Sequence, residues 1–241
     1  LAAPSGLKGA ASLRPYNRSI AHLPGKLYGV EGLEWAKALR GNRRVTVLND
    51  AHAALPGEAW VGAARDRQDV VLITLGTGVG GAVMTEGRLL RGMMGRAGHL
   101  GHMSLDVAGP RSIVGMPGAV EVMVGDCTVR ERTGGKFNST ADLIAAHLAG
   151  DASATGAWLR SVRALACAVA SYINLFDPEI IVLGGGIAKA GEALFAPLRS
   201  ELERIEWRPG GHAVPVVPAT LGEWAGAVGV AREALRLPDA L

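Results

Sequence analysis

The sequence predicts an α/β protein, and three observations carry that prediction. Segments with helical spacing alternate with β-branched apolar runs through the C-terminal two-thirds of the chain. The strand-like runs are short and end in glycine, as in VVLITL before GTGVGG and EIIVL before GGG. The 34 glycines concentrate in such clusters rather than in a low-complexity linker, which puts conformationally permissive residues at turns.

Taken in order, VTVLND at 45–50 reads as a short strand ending in two polar residues. AHAALPGEAWVGAA then reads as a helix that Pro56 is expected to kink or restart. VVLITL at 70–75 is a second strand, and GTGVGG leads into a third, AVMTEGRLL, with a turn at Glu86-Gly87. From residue 153, Leu159, Val162, Ala166, Val169 and Ile173 recur at helical spacing, so this is expected to be a core helix, stopped by Asp177-Pro178. EIIVLGGGIAKAG is a buried strand running through three glycines into a helix. EALFAPLRSELERI continues helical, PVVPAT is a short strand, and LGEWAGAVGVAREAL is a terminal amphipathic helix.

Composition narrows the function. With 241 residues, 49% hydrophobic and 20% charged, the chain has the make-up of a globular protein of one large or two small domains. A net charge of +3 with dispersed arginines lacks the basic stripe of a nucleic-acid-binding protein. The apolar run ALACAVASYINLF is too short to cross a bilayer, and no signal peptide is visible. Cys127 and Cys167 form no CxxC pair, so they read as two buried thiols in a reducing cytoplasm.

Four constellations carry chemistry. GTGVGG at 76–81 offers backbone N–H groups to phosphate, yet a strand and not a helix follows it, which separates it from the dinucleotide fingerprint. It is a phosphate grip or a plain tight turn. Asn49-Asp50 closes a strand before a helix, where Asp50 is either a proton acceptor facing a cleft or the N-cap of that helix. Gly184, Gly185 and Gly186 permit close approach of a flat ligand or mark a crowded turn. His99 and His102, among glycines, are metal ligands, substrate contacts or incidental imidazoles.

The order of these segments decides among the alternatives. LND, LGTGVGG, AGHLGHMSLDVAGP, VLGGGIA and LGEWAGAVGVA, in that sequence, closely resemble the ROK family of bacterial sugar kinases and related repressors. The resemblance runs from LAAPSGL through the last helix. It implies the actin-like ATPase (ribonuclease H-like) fold, two α/β domains around a cleft that holds sugar and ATP. The smaller domain would occupy 1–69, with helix 224–241 packing back on it, and the larger 70–223. Asp50 matches the family's general base and Asn49 a residue holding neighbouring hydroxyls. Gly76, Thr77, Gly78 and Gly80 match a phosphate-binding hairpin, and Gly184 to Gly186 a turn near the adenosine. ATP with Mg²⁺ is the implied co-substrate.

Three departures qualify the match. The family's Gly-Glu-x-Gly-His reads Gly98-His99-Leu100-Gly101-His102, so an imidazole with at most one acceptor replaces a sugar-binding carboxylate while His102 is retained. Many members continue Cys-x-Cys-Gly-x-x-Gly-Cys-x-Glu around a zinc ion. Here Ser112, Val114 and Ala119 hold the thiolate positions, so no zinc is expected, and Glu121 is kept as a sugar-contacting acid. Finally, the family's Asp-x-Gly-Gly-Thr hairpin occurs nowhere in the chain, so an N-terminally incomplete member is expected. The resulting expectation is an ATP-dependent kinase of a hexose or N-acylhexosamine, cytoplasmic and homodimeric. Its rivals are a non-catalytic sugar sensor of the repressor kind and an inactive truncated member.

Overall fold

A computed structural model describes residues 2–3, 12–13, 20–22, 35–39, 45–93 and 95–236. Of the LAAPSGL start only Ala2 and Ala3 fall among them, and the end of the expected terminal helix, 237–241, lies outside.

Short pieces come first: β1 (Ala2–Ala3), β2 (Ser12–Leu13), β3 (Ile20–His22) and α1 (Trp35–Ala38). β4 (Leu48–Asn49), shorter than the expected 45–50, pairs in parallel with β1 and runs straight into α2 (Asp50–Val61). The centre is a five-stranded sheet of order β7-β6-β5-β8-β9. Its members are β5 (Val70–Leu75), β6 (Val79–Thr85), β7 (Arg88–Leu89), β8 (Ile180–Gly184) and β9 (Val216–Pro218). β5 pairs antiparallel with β6 across the glycine hairpin and parallel with β8, which in turn is parallel to β9.

β5 and β8 read as unbroken apolar runs because both faces of the sheet are covered. Val71, Ile73, Leu75, Ile181 and Leu183 pack on one face against the helical layer. That layer contains α3 (Val120–Val124), α5 (Thr140–Leu148), α6 (Ala152–Phe176) and α7 (Glu192–Ile205), with α4 (Val129–Arg132) beside it. Val70, Leu72, Ile180 and Val182 pack on the other face against Ala51, Leu55 and Ala59 of α2. The period of two splits each strand between two cores.

α8 (Ala225–Leu235) lies on α2 as closely as backbones allow. A Cβ on Gly229 would collide with the Ala53 carbonyl, and one on Gly57 with the Ala225 carbonyl. This contact explains a departure from expectation at Pro56. α2 continues through the proline, and the Pro56 carbonyl accepts from Arg232 of α8 at 3.2 Å. Packing on α8 and the sheet outweighs the backbone hydrogen bond that proline removes.

α6 is the core helix the spacing predicts, and Asp177 ends it in the left-handed conformation. Val162, Ala166, Val169 and Ile173 are buried, while Leu159 is 41% exposed because the apolar face is centred on Trp158, Val162 and Leu165. Both cysteines are exposed, contrary to the buried-thiol expectation; Cys127 stands in a surface turn and Cys167 on the outer face of α6. The three glycines after β8 lead into a 3-10 turn at Ile187–Ala190 before α7 begins.

Candidate active site

Two glycine turns and one helix start converge where the parallel strands end. In open α/β sheets this is the edge at which ligands bind. Gly185 has φ +89°, and a Cβ there would collide with the Leu75 carbonyl, so the turn after β8 abuts the hairpin after β5. Only glycine satisfies both the sign of φ and the close approach.

The hairpin itself is braced from behind. Gly76 N–H donates to the Gly78 carbonyl, while the carbonyls of Gly76 and Thr77 accept from the amides of Asp126 and Cys127 at 2.9 and 2.8 Å. Arg132 holds the segment that supplies those donors, its guanidinium donating to the carbonyls of Met123 and Gly125 at 2.7 and 2.9 Å. Thr77 is exposed at the tip. Glu121, in the first turn of α3, accepts from the Val79 amide at 3.1 Å, and its carboxylate occupies the space that a Cβ on Gly78 would need. Glu121 therefore belongs to the glycine side of the site.

The other side is made of side chains. Asn49 is buried in extended conformation and its Oδ1 accepts from the Ala51 amide at 3.1 Å, so Asn49 is the N-cap of α2. Asp50 is the first helical residue, and its Oδ1 shares the same N–H at 2.8 Å. The cap alternative for Asp50 thus falls to its neighbour. A carboxylate in the first turn sits in the positive end of the helix dipole. The two sides meet at Gly80, where a Cβ would lie 3.6 Å from the Ala51 methyl.

Beside Asp50 runs a row of imidazoles, of which His99 lies close enough to feel its charge. His99 and His102 stack nearly parallel, their centroids 5.9 Å apart, and His52 meets His99 edge-on at 6.0 Å. Burial pushes the His52 imidazole down to about 4, with the charges of His99 and Arg91 acting in the same direction against the Ala97 carbonyl. Burial and the neighbouring His102 also lower His99, opposed by the Gly95 carbonyl and the Asp50 carboxylate. Both rings are therefore neutral near pH 7. His102 Nδ1 is buried with no partner among the described residues, the kind of unspent hydrogen-bonding capacity that a bound ligand satisfies. Tyr172 of α6 donates its hydroxyl proton to the Leu100 carbonyl at 2.6 Å and pins the turn between the two histidines. Among the described residues no three His, Cys, Asp or Glu side chains are disposed to hold a metal ion. Ser112, Val114 and Ala119 place no thiolate in this segment, so its side chains do not make up the sulfur-rich tetrahedral set that a structural zinc ion takes.

Two residues of structural weight escaped the sequence analysis. His52 is one, and the only hint of it was an imidazole beside Asp50 in an otherwise apolar turn. The other is Glu58, fully buried on α2, whose carboxylate accepts from the amides of Ala63, Thr220 and Leu221 and from the Thr220 hydroxyl. It ties the approach to α8 onto α2 across more than 160 residues of sequence, a distance no local pattern encodes.

Comparison with known proteins gives the family and the fold. The ROK family model matches residues 26–236. A glucokinase of Thermotoga maritima is 39% identical over 211 residues, covering 80% of this chain and 67% of the relative. An N-acetylmannosamine kinase of Vibrio cholerae is 35% identical over 183 residues, covering 74% of this chain and 61% of the relative. Among solved structures, a ROK family glucokinase from Streptomyces griseus in complex with glucose and AMPPNP superimposes with a TM-score of 0.79. It is 27% identical, with 95% of this chain and 80% of that one covered. The chain belongs to the ROK family, and its fold is the actin-like ATPase fold of that family's sugar kinases. It spans about three-fifths to two-thirds of the length of these two curated relatives.

Proposed function

We propose that the protein is an ATP-dependent sugar kinase acting on a hexose or an N-acylhexosamine, with Asp50 as general base. The observation that carries the proposal is the convergence, at one sheet edge, of a helix-starting carboxylate, two abutting glycine turns and the partnerless His102 Nδ1. The sugar kinases among its relatives support the choice of substrate class. Asn49, His99, His102 and Glu121 are the proposed sugar contacts. Gly76, Thr77, Gly78 and Gly80 would receive the phosphates of ATP with its Mg²⁺, and Gly184 to Gly186 the adenosine.

The chemistry asked of the side chains is limited. Phosphoryl transfer depends on positioning and on stabilising charge, and one carboxylate suffices to take the proton from the attacking sugar hydroxyl as its oxygen bonds to the γ-phosphorus and ADP leaves. The imidazoles of His99 and His102 would orient the hydroxyls, leaving the proton of the attacking one to Asp50. We assign no zinc to the protein, and place it, by its family, as a cytoplasmic homodimer of domains 1–69 and 70–223 that binds neither nucleic acid nor membrane. No helix among the described residues is long and apolar enough to cross a membrane.

The test is Asp50→Asn in protein made from the complete reading frame. Loss of a general base is expected to lower turnover by about a hundred- to ten-thousandfold. Sugar affinity by calorimetry should stay within about threefold, since only a proton acceptor is removed. Unchanged turnover would refute Asp50. Sugar binding without phosphorylation in the wild type would favour the sensor role of relatives such as the xylose repressor of Bacillus subtilis, 28% identical.

A further inference from the structure

One buried titratable group beside the site has no part in the chemistry above. His52 lies on α2 two residues after Asp50 and is 2% exposed. Its Nε2 is 2.7 Å from the Ala97 carbonyl, 45 residues along the chain. Because that partner can only accept, Nε2 carries the proton of the neutral ring. The ring edge meets His99. Between them passes Gly98 with φ +84°, where a Cβ would lie 3.0 Å from the Ala82 Cα and 3.3 Å from His52 Nε2. The segment is thus pressed between α2 and β6, and the His52 hydrogen bond is its tie to the helix.

We propose that His52 is a positioning residue: through the Ala97 carbonyl and the edge of His99 it fixes segment 95–102 against the helix that begins at Asp50. It thereby sets the separation between the imidazoles and the base. The charged and titratable groups around it are His99 and Arg91, and His99 in turn faces Asp50, Arg96 and His102. The catalytic consequence rests on the kinase function proposed above; the structural consequence does not.

Three variants separate the hydrogen bond from the bulk of the ring. Glutamine places an amide N–H as many bonds from Cβ as Nε2 is, so His52→Gln keeps the donor. Leucine fills the space without a donor, and the shorter asparagine falls short of Ala97. On protein from the complete reading frame, His52→Leu and His52→Asn are expected to raise the sugar KM about tenfold and leave the ATP KM within about twofold. In the same variants the amides of His99, Leu100 and His102 should exchange with solvent at least about tenfold faster while α6 amides stay protected. His52→Gln should remain within about threefold of wild type in every measure. A purely structural role would move ATP and sugar constants together and speed exchange throughout.

The proposal is overturned if folded His52→Leu or His52→Asn keeps wild-type exchange over 95–102, or if His52→Gln is damaged as much as they are. Should His52→Leu fail to fold, the asparagine and glutamine pair decides. If the wild type phosphorylates no sugar, the kinase function falls, and exchange over 95–102 alone decides the role of His52.

Discussion

The glycine side of the site and the histidine side are built in opposite ways. On the glycine side the proposed phosphate grip is backbone, braced by Arg132 behind the hairpin and by Glu121 beneath Gly78, the one side chain there also proposed to reach the sugar. On the histidine side the working groups are imidazoles and a carboxylate. The backbone there serves as the prop, through the carbonyls of Ala97 and Leu100. A backbone grip is fixed by the absence of side chains, whereas a side-chain grip depends on contacts made across 45 and 72 residues. The first tolerates no added atom. The second tolerates changes of atom and answers to pH.

The sharpest way to break this division is Gly185→Ala. Alanine at φ +89° is strained, and its methyl would collide with the Leu75 carbonyl at the root of the hairpin. The two glycine turns must separate to admit it, and nucleotide affinity is expected to fall about a hundredfold. Sugar affinity should stay within about threefold, because the histidine segment is tied through the Ala97 and Leu100 carbonyls and not through Leu75. Parallel titrations with sugar and with a non-hydrolysable ATP analogue check this. Equal losses for both ligands would mean that the two sides are one unit.

The next largest effect is confined to the histidine side. His52 titrates near 4 when folded and near 6.5 when unfolded, so the unfolded chain binds more protons between those values. Stability therefore rises with pH across that window, is fully present above about 6.5, and is lost as pH falls through the window towards 4. His52 alone should cost about 2 kcal/mol between pH 7 and 4.5. His99, lowered in the same direction, adds to it. Denaturant melts at the two pH values check this, and His52→Gln should flatten the difference by the His52 share.

These contrasts explain what was legible in the sequence. The sheet was readable because β5 and β8 are buried on both faces and their apolar runs stop at glycine. α6 was readable because its apolar face repeats every turn, and it went wrong at Leu159, where the stripe drifts off the core. Pro56 and the cysteines were misjudged because local propensity is silent about what covers a residue. The glycine turns were legible as glycines, and the family order of motifs made them a candidate site. His52 and Glu58 were invisible, since each takes its meaning from a partner far along the chain.

A change of chemistry sharpens the comparison at His99. The family motif that this segment resembles implies a carboxylate at this position, and His99→Glu would supply two acceptor oxygens where the imidazole offers one. The sugar KM is expected to fall about three- to tenfold at pH 8, measured by coupled assay across a sugar panel. Because the introduced carboxylate would stand near Asp50, the two acids repel, one titrates higher, and the acid limb of the rate profile should move upward. An unchanged profile would place the new carboxylate away from Asp50.

The smallest effect tests how the histidine side is propped. Tyr172→Phe removes only the hydroxyl that donates to the Leu100 carbonyl and leaves the ring in the core. The lost hydrogen bond and the unpaired buried carbonyl should cost about 1 kcal/mol of stability. Because Leu100 lies between His99 and His102, the same loss should loosen the stacked pair and raise the sugar KM about two- to threefold, with the ATP KM unchanged. A drop in stability with both constants unchanged would show that the Ala97 tie holds the imidazoles without help from α6. Sugar and ATP constants rising together would show instead that α6 supports both sides through the sheet they share.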